Sequence, residues 1–203
     1  MRIARIAPLV EGDGEVTGFP VLLRRIIQSI DPMIHPAVCR GFRHPSGSLR
    51  RAGGLERAIQ AVAEVHPAHP ILVLIDSDDD CPKDFAPELA NRAKRARPDL
   101  MVSIVLADRE YESWFLAAAE SLAGLRSLRQ DLAAPAAPEE IRDAKGWLSK
   151  QMPRSMRYSP TQDQASLSAR FDLELARRRS RSFRKLWKEI EGILLTTCTD
   201  EWP

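Results

Sequence analysis

The chain has 203 residues, of which 44% are hydrophobic and 29% are charged, and its formal net charge at pH 7 is +2. This balance is typical of a folded globular domain and excludes a mainly disordered chain. The longest apolar stretches are only as long as strands, so we expect no membrane-spanning segment. Because the first predicted strand begins at Ile3, no room remains for a signal peptide, and we expect a cytoplasmic protein.

Apolar runs separated by turn residues predict strands that alternate with helices. In chain order they are a strand over 3–10, a helix over 18–29, an edge strand over 33–39, a helix over 55–65, a strand over 71–75, a helix over 87–96 and a strand over 100–106. After a proline-rich linker over 133–138, helices are predicted over 139–152, 166–178 and 182–195. Residues 196–203 are expected to form a loosely ordered tail.

Strands that alternate with helices build parallel sheets with right-handed crossovers. We therefore predict an α/β fold with a mostly parallel central sheet of about four strands, flanked by helices. One domain would span residues 1–203, with an α/β core over 1–124 and a helical extension over 139–195.

Clustered acidic residues follow three of the predicted strands. Glu11 and Glu15 bracket the turn after the first strand, and Asp76-Ser77-Asp78-Asp79-Asp80 follows the strand over 71–75. Glu110 and Glu112 follow the strand over 100–106. The carboxyl ends of parallel strands meet at one edge of the sheet, where α/β proteins place their sites. The three acidic junctions are therefore expected to converge.

Carboxylate oxygens are the ligands that hard divalent cations prefer. Glu11, Asp76 and Asp78 would bind one Mg²⁺ or Mn²⁺ ion; Asp80 would continue the row, and Glu112 would complete the site or hold a second ion about 4 Å away. Acidic residues are also common helix caps and turn residues. Caps do not explain three acidic junctions on one edge, since like charges repel unless a cation or protons neutralise them.

The order of these motifs along the chain resembles that of a known group of domains. A strand followed by Glu11-Gly12, and a later strand followed by Asp76-x-Asp78, is similar to the Toprim domain of topoisomerases, primases and OLD-family nucleases. The run over 110–117, together with Lys145, Tyr158, Asp163 and Ser182-Phe183, resembles a small bacterial Toprim-like family of unknown function that is often associated with an ATPase partner. The resemblance implies a catalytic Glu11 and metal-binding Asp76 and Asp78, with Glu15 and Glu112 as further acids.

The chain is too short for the tyrosine-bearing domain of a topoisomerase or the template-binding domains of a primase. The resemblance therefore favours a metal-dependent nuclease that acts on DNA or RNA, with a role as an effector of a defence or toxin system as the expectation. Lys145 would neutralise transition-state charge, or it is an exposed helical lysine. The alternatives are a metal-dependent nucleotidyl transferase or phosphohydrolase, and a noncatalytic subunit of an ATPase complex.

Two basic segments are candidates for contact with a nucleic-acid backbone. Arg43, Arg50 and Arg51 lie in the loop over 40–54, and Arg178, Arg179 and Arg181 lie near the C-terminus. Each segment would equally suit a solvated surface. The cysteines, Cys39, Cys81 and Cys198, form no Cys-x-x-Cys pair, which argues against disulfides and against a structural zinc site. The histidines, His35, His44, His66 and His69, show no ligand spacing that predicts a metal site.

Overall fold

The fold is organised around a parallel sheet. It is described by a computed structural model of residues 2–44 and 47–197; Cys198 and the rest of the predicted tail to residue 203 lie outside the described residues. The strands are β1 (Arg2–Val10), β2 (Ile34–Val38), β3 (Phe42–Arg43), β4 (Ile71–Asp76) and β5 (Val102–Ala107). The sheet order is β2-β1-β4-β5, all registered pairs are parallel, and β3 pairs with β1 beyond β2.

Helices cover the sheet and form most of the second half of the chain. They are α1 (Glu15–Ile30), α2 (Gly54–Val65), α3 (Pro82–Ala96), α4 (Ser113–Ala117), α5 (Ala144–Lys150), α6 (Ala165–Ser168), α7 (Leu173–Arg179) and α8 (Arg181–Thr197). Within the described part of the chain, no helix has the length and apolar character needed to cross a bilayer.

Both faces of the sheet are buried, as continuous apolar strands require. In β4, Leu72 and Leu74 join a cluster with α1 and the C-terminal helices, whereas Ile71, Val73 and Ile75 pack with α2 and α3 on the other face. The alternation follows from the two-residue period of a strand. The predicted α/β class with a mostly parallel sheet is confirmed.

The C-terminal helical part of the chain buries aromatic side chains against α4. Phe171 and Phe183 are fully buried, and their ring centroids lie 5.7 Å apart in an edge-to-face arrangement. Phe115 and Trp114 of α4 contact the same pair, at 5.4 Å and 5.5 Å. Trp187 is 5% exposed. Phe183 and Trp187 are therefore core residues and are not available for stacking on bases.

Two predicted helices are shorter in the structure, and a side-chain cap explains each difference. The helix predicted over 139–152 begins only at Ala144, because Asp143 accepts a 2.7 Å hydrogen bond from the Gly146 N–H. The helix predicted over 166–178 is divided into α6 and α7, and Asp172 caps α7 through the Leu175 N–H at 2.9 Å. Aspartate offers the backbone an alternative to helix continuation.

Candidate acidic site at the sheet edge

The direction in which strands are added to the sheet reverses between β1 and β4. This reversal places two acidic residues side by side. From β1 the chain crosses to β2 on one side of the sheet and later returns to β4 on the other side. Glu11 directly follows β1, and Asp76 is the last residue of the adjacent β4. Open α/β sheets form a crevice at such a switch point, beyond the carboxyl ends of the strands.

The turn between β1 and α1 brings two glutamates to this crevice. Glu15 lies in the first turn of α1, and its Oε2 accepts hydrogen bonds from the Glu11 and Gly12 N–H groups, both at 3.3 Å. Glu11 is 6% exposed, and its Oε1 accepts a 3.3 Å hydrogen bond from the Gly47 N–H. Burial raises the pKa of Glu11. Burial also raises the pKa of Glu15 to about 7, and repulsion from Glu112 and Glu11 adds to this effect.

A glycine allows the polypeptide to close over this turn. A Cβ atom on Gly14 would clash with Gln164 Oε1 and would lie 2.7 Å from the Pro160 carbonyl carbon. Residues 160–164 form a π-helical turn that leads directly into α6. Gly14 is therefore needed for close approach of two backbone segments, a use that an ordinary tight turn does not require.

Asp76 is held at the centre of the crevice. Its Oδ1 accepts a 2.8 Å hydrogen bond from the Tyr111 N–H, and its Oδ2 lies 3.8 Å from Lys145 Nζ. The pKa of Asp76 is well above its ordinary value because the carboxyl is buried and because Glu15 and Glu112 repel its charge.

Glu112 is the most deeply buried acid of the site. It is 1% exposed, and its Oε1 accepts a 2.9 Å hydrogen bond from the Tyr158 hydroxyl. Its Oε2 lies 3.3 Å from Lys145 Nζ but makes no hydrogen bond. Burial raises the pKa of Glu112 even though Lys145 and Tyr158 oppose the shift. One ligand-capable oxygen is thus buried and incompletely satisfied.

Lys145 supplies the internal countercharge of the cluster. Its Nζ contacts Glu110 Oε1 at 3.0 Å, in addition to Asp76 and Glu112. Glu110 also accepts hydrogen bonds from the Ala144 and Lys145 N–H groups, so it fixes the start of α5 and the lysine together. Burial by itself would lower the pKa of Lys145, but the surrounding carboxylates outweigh it and raise the pKa. Lys145 is therefore protonated at neutral pH.

The outer aspartates do not join this buried group. Asp78 and Asp80 have side chains 66% and 52% exposed, and both pair with Arg50. Arg50 also donates to the Asp76 carbonyl oxygen. Asp78 has a φ of 50°, so the strand geometry that would direct Asp76 and Asp78 to the same side ends at this residue. Asp79 pairs with Arg109 at 3.0 Å.

The loop that carries Arg50 and Arg51 is tied to the rest of the fold by Arg92. The buried Arg92 guanidinium donates to the carbonyl oxygens of Arg50 and Arg51, at 3.0 Å and 2.7 Å, and pairs with Glu56. This hydrogen bonding lowers the pKa of Glu56 to about 2. Arg43, at the other end of the loop, pairs with Asp13 at 3.0 Å. The basic loop therefore lies beside the acidic turn.

The second predicted basic segment lies between α7 and α8 and has its own contacts. Arg179 pairs with Glu120 at 2.9 Å, and Arg178 and Arg181 are exposed. Arg181 lines a cavity of about 620 Å³ between α3, β5 and α8. Glu139 accepts hydrogen bonds from the N–H groups at the start of α8.

The structure gives some residues a larger part than their sequence pattern indicated. Glu15, at first a secondary acid, is the group that raises the pKa of Asp76 most after burial. Its sequence signal was its position four residues after Glu11, at the end of the turn between β1 and α1. Tyr158 was noted only through the family resemblance and Arg109 was not predicted, because each makes its contact through tertiary packing across more than 30 residues.

The donor set suits a hard cation, since it consists of carboxylate oxygens. It includes Glu112 Oε2, which is buried and makes no hydrogen bond. Glu11, Glu15, Asp76 and Glu112 are the residues that would hold one. In the described part of the chain, however, the acidic residues do not offer three ligand oxygens that all lie within 4.8 Å of one another. The Lys145 ammonium supplies positive charge among three of the acidic side chains.

These features define a class: an open, parallel α/β fold with buried acids at the switch point of its sheet. Residues 10–191 match the family DUF4276, a domain of unknown function, and the chain belongs to that family. No curated protein gives a significant match.

Two solved structures are similar to this chain. The C-terminal region of the OLD protein from Xanthomonas campestris pv. campestris is 14% identical, with 95% of this chain and 97% of that chain covered and a TM-score of 0.38. The C-terminal region of the Burkholderia pseudomallei OLD protein is 17% identical, with 93% and 98% covered and a TM-score of 0.39.

Proposed function

We propose that this chain is a divalent-metal-dependent hydrolase of phosphodiester bonds in DNA or RNA. The observation that carries the proposal is the convergence of buried Glu15 and Glu112 on the partly buried Asp76 at the switch point of the sheet. Glu112 raises the pKa of Glu15, and both glutamates raise the pKa of Asp76. Acids forced together without full compensation are characteristic of functional sites. Glu11, Glu15, Asp76 and Glu112 would hold Mg²⁺ or Mn²⁺.

A bound divalent ion would polarise the phosphodiester and lower the pKa of a coordinated water. The residues of the chain account for the rest. Lys145 is protonated among Asp76, Glu110 and Glu112, and it is the side chain able to donate to a phosphate oxygen as negative charge develops there. Arg50 and Arg51, on the anchored loop beside the crevice, would bind the neighbouring phosphates.

The nuclease proposal is tested with plasmid, single-stranded DNA and RNA, each incubated with Mg²⁺, with Mn²⁺ and without metal. We expect metal-dependent cleavage that Glu11→Gln and Asp76→Asn abolish. Asp84→Asn, a change to an exposed acid on α3, is the matched control and should cleave as the wild type does. Cleavage that persists in both site variants would refute the assignment of the site.

One observation favours a second candidate, a noncatalytic subunit that docks on an ATPase partner. Lys145 already contacts three carboxylates, and Arg50 already pairs with Asp78 and Asp80. Such a cluster could hold the fold together without a metal. Thermal unfolding separates the two candidates: a Mg²⁺ or Mn²⁺ response that Asp76→Asn removes supports the metal site, and the absence of any response supports the subunit.

A further inference from the structure

A second cluster of potential ligands lies away from the acidic crevice. Cys39 follows β2, and His66 and His69 lie between α2 and β4. One ligand atom from each of the three residues lies within 4.8 Å of the other two. The residues come from two segments about 30 positions apart in sequence. No local Cys-x-x-Cys motif or histidine spacing therefore predicts this cluster.

This cluster lies at the opposite end of β4 from the acids. His69 precedes the first residue of β4 by two positions, whereas Asp76 ends the strand. A six-residue strand is about 17–20 Å long, so the two groups are separate sites. At the level of Cys39, the backbone is fixed to β1 by a 3.0 Å hydrogen bond from the Cys39 N–H to the Ile6 carbonyl.

The distances are close to those of a tetrahedral metal site. Cys39 Sγ and His66 Nδ1 lie 3.7 Å apart. Zinc bound at about 2.3 Å to sulfur and about 2.0 Å to nitrogen places such ligand atoms about 3.4–3.6 Å from one another. The ring centroids of His66 and His69 are 5.3 Å apart, so modest side-chain rotation would bring the third ligand into range.

His69 provides an independent sign of a missing partner. Its Nδ1 is buried and makes no hydrogen bond, which is uncommon for a buried polar atom. The segment is also held rigidly: the His69 N–H donates to the His66 carbonyl at 3.2 Å, and the Pro70 carbonyl accepts from the Ala7 N–H at 2.9 Å. A rigid segment loses little conformational entropy when it binds an ion.

We propose that Cys39, His66 and His69 form a three-ligand site for a borderline-soft divalent cation, with zinc as the expected ion. Sulfur together with two imidazoles is a donor set that selects zinc or cobalt over magnesium. All three residues are partly exposed, so water can reach the fourth position. Such a metal would tie the end of β2 to the turn between α2 and β4.

The neighbouring charges permit this occupancy. In the described part of the chain, Arg24 acts electrostatically on Cys39, and His66 and Arg5 act on His69. The Arg24 guanidinium donates to the Val38 carbonyl, which directs part of its hydrogen bonding to the backbone. A thiolate bound to zinc would offset one positive charge. Because burial raises the pKa of the Cys39 thiol, a standing reactive thiolate is the less favoured use of this cysteine.

The test uses the full-length chain without a histidine tag, with Co²⁺ as a spectroscopic probe. We expect one equivalent of Co²⁺ to bind with a thiolate-to-cobalt charge-transfer band and the d–d bands of a tetrahedral ion, and Zn²⁺ to displace it; Co²⁺ in the acidic crevice would give no such charge-transfer band. Cys39→Ser should eliminate the charge-transfer band and weaken binding by about tenfold or more, and His69→Gln should weaken binding while the band remains. Circular dichroism verifies that each variant is folded.

Matched controls separate this site from other sulfur and imidazole groups. Cys81→Ser and His35→Gln change exposed residues of the same types and should leave the spectrum unchanged. Asp76→Asn should leave the charge-transfer band unchanged, because the acidic crevice contains no sulfur. The proposal is overturned if Cys39→Ser keeps the charge-transfer band, or if the folded wild type binds no Co²⁺ at micromolar concentration; Cys39 and His66 would then form only a hydrogen bond.

Discussion

Replacement of Glu15 by glutamine should stabilise the metal-free protein at alkaline pH. Glu15 is 7% exposed, and burial together with repulsion from Glu112 and Glu11 raises its pKa to about 7. Glutamine has nearly the same shape, and its side-chain oxygen can still accept the hydrogen bonds of the Glu11 and Gly12 N–H groups. The substitution therefore removes the charge and leaves the local contacts in place.

The sign and size of the effect follow from the two pKa values of Glu15. In the unfolded chain the ordinary value is 4.5, and in the folded chain it is about 7. Between these values the folded state retains a proton that the unfolded state has released, so stability falls as pH rises. At pH 8.5 the ionised group lowers the free energy of unfolding by about 3 kcal/mol, and at pH 5 by less than about 1 kcal/mol.

Urea unfolding followed by circular dichroism measures this difference. At pH 8.5 Glu15→Gln should raise the free energy of unfolding by up to about 3 kcal/mol, and the melting temperature by about 6–12 °C. The gain should shrink at pH 5, and it should shrink at pH 8.5 when saturating Mg²⁺ offsets the repulsion. Glu64→Gln, on the exposed side of α2, is the control without effect. An equal gain at both pH values, or a loss at pH 8.5, would refute the electrostatic explanation.

Two further substitutions test the other charges of the site. Lys145→Met should destabilise the metal-free protein more at pH 8.5 than at pH 5, because it leaves three carboxylates without their shared cation; added Mg²⁺ should restore part of the lost melting temperature. Arg92→Met should lower the free energy of unfolding by about 3 kcal/mol, since Glu56 loses its buried partner. It should also weaken nucleic-acid binding, because it releases the loop that carries Arg50. The control Arg97→Met, at an exposed ion pair, should have a much smaller effect on stability and on binding.

The central sheet could be predicted from the sequence because its signals are local. The apolar run over 71–75 and the acidic residues directly after it identify both a buried strand and its carboxyl end. The short β3 was not predicted, because two residues are too few to show a strand pattern. Phe42 and Arg43 pair with β1 because the loop that contains them runs beside it. Helix ends were less predictable, because one aspartate cap, such as Asp143 or Asp172, decides where a helix begins.

The composition of the acidic site depends on information that a single segment does not contain. Asp76 and Asp78 are two residues apart, and an extended chain would present both to one ion. The left-handed conformation of Asp78 breaks that geometry, and the aspartate faces Arg50 in solvent. Lys145 and Tyr158 enter the site from the C-terminal helical part, where their own surroundings in sequence do not distinguish them from ordinary helix and loop residues.

The charge balance of the crevice links its stability to its proposed chemistry. Glu15 and Glu112 are buried near the partly buried Asp76, and the Lys145 ammonium contacts Asp76 and Glu112 directly. One cation does not neutralise three carboxylates, so the remaining charge must be removed by protons, as the raised pKa values indicate, or by a bound divalent ion. A divalent ion would displace these protons and free the lysine to contact a phosphate. The repulsion between these carboxylates, which we expect to lower the stability of the metal-free protein at alkaline pH, would thus also give the site its affinity for a metal.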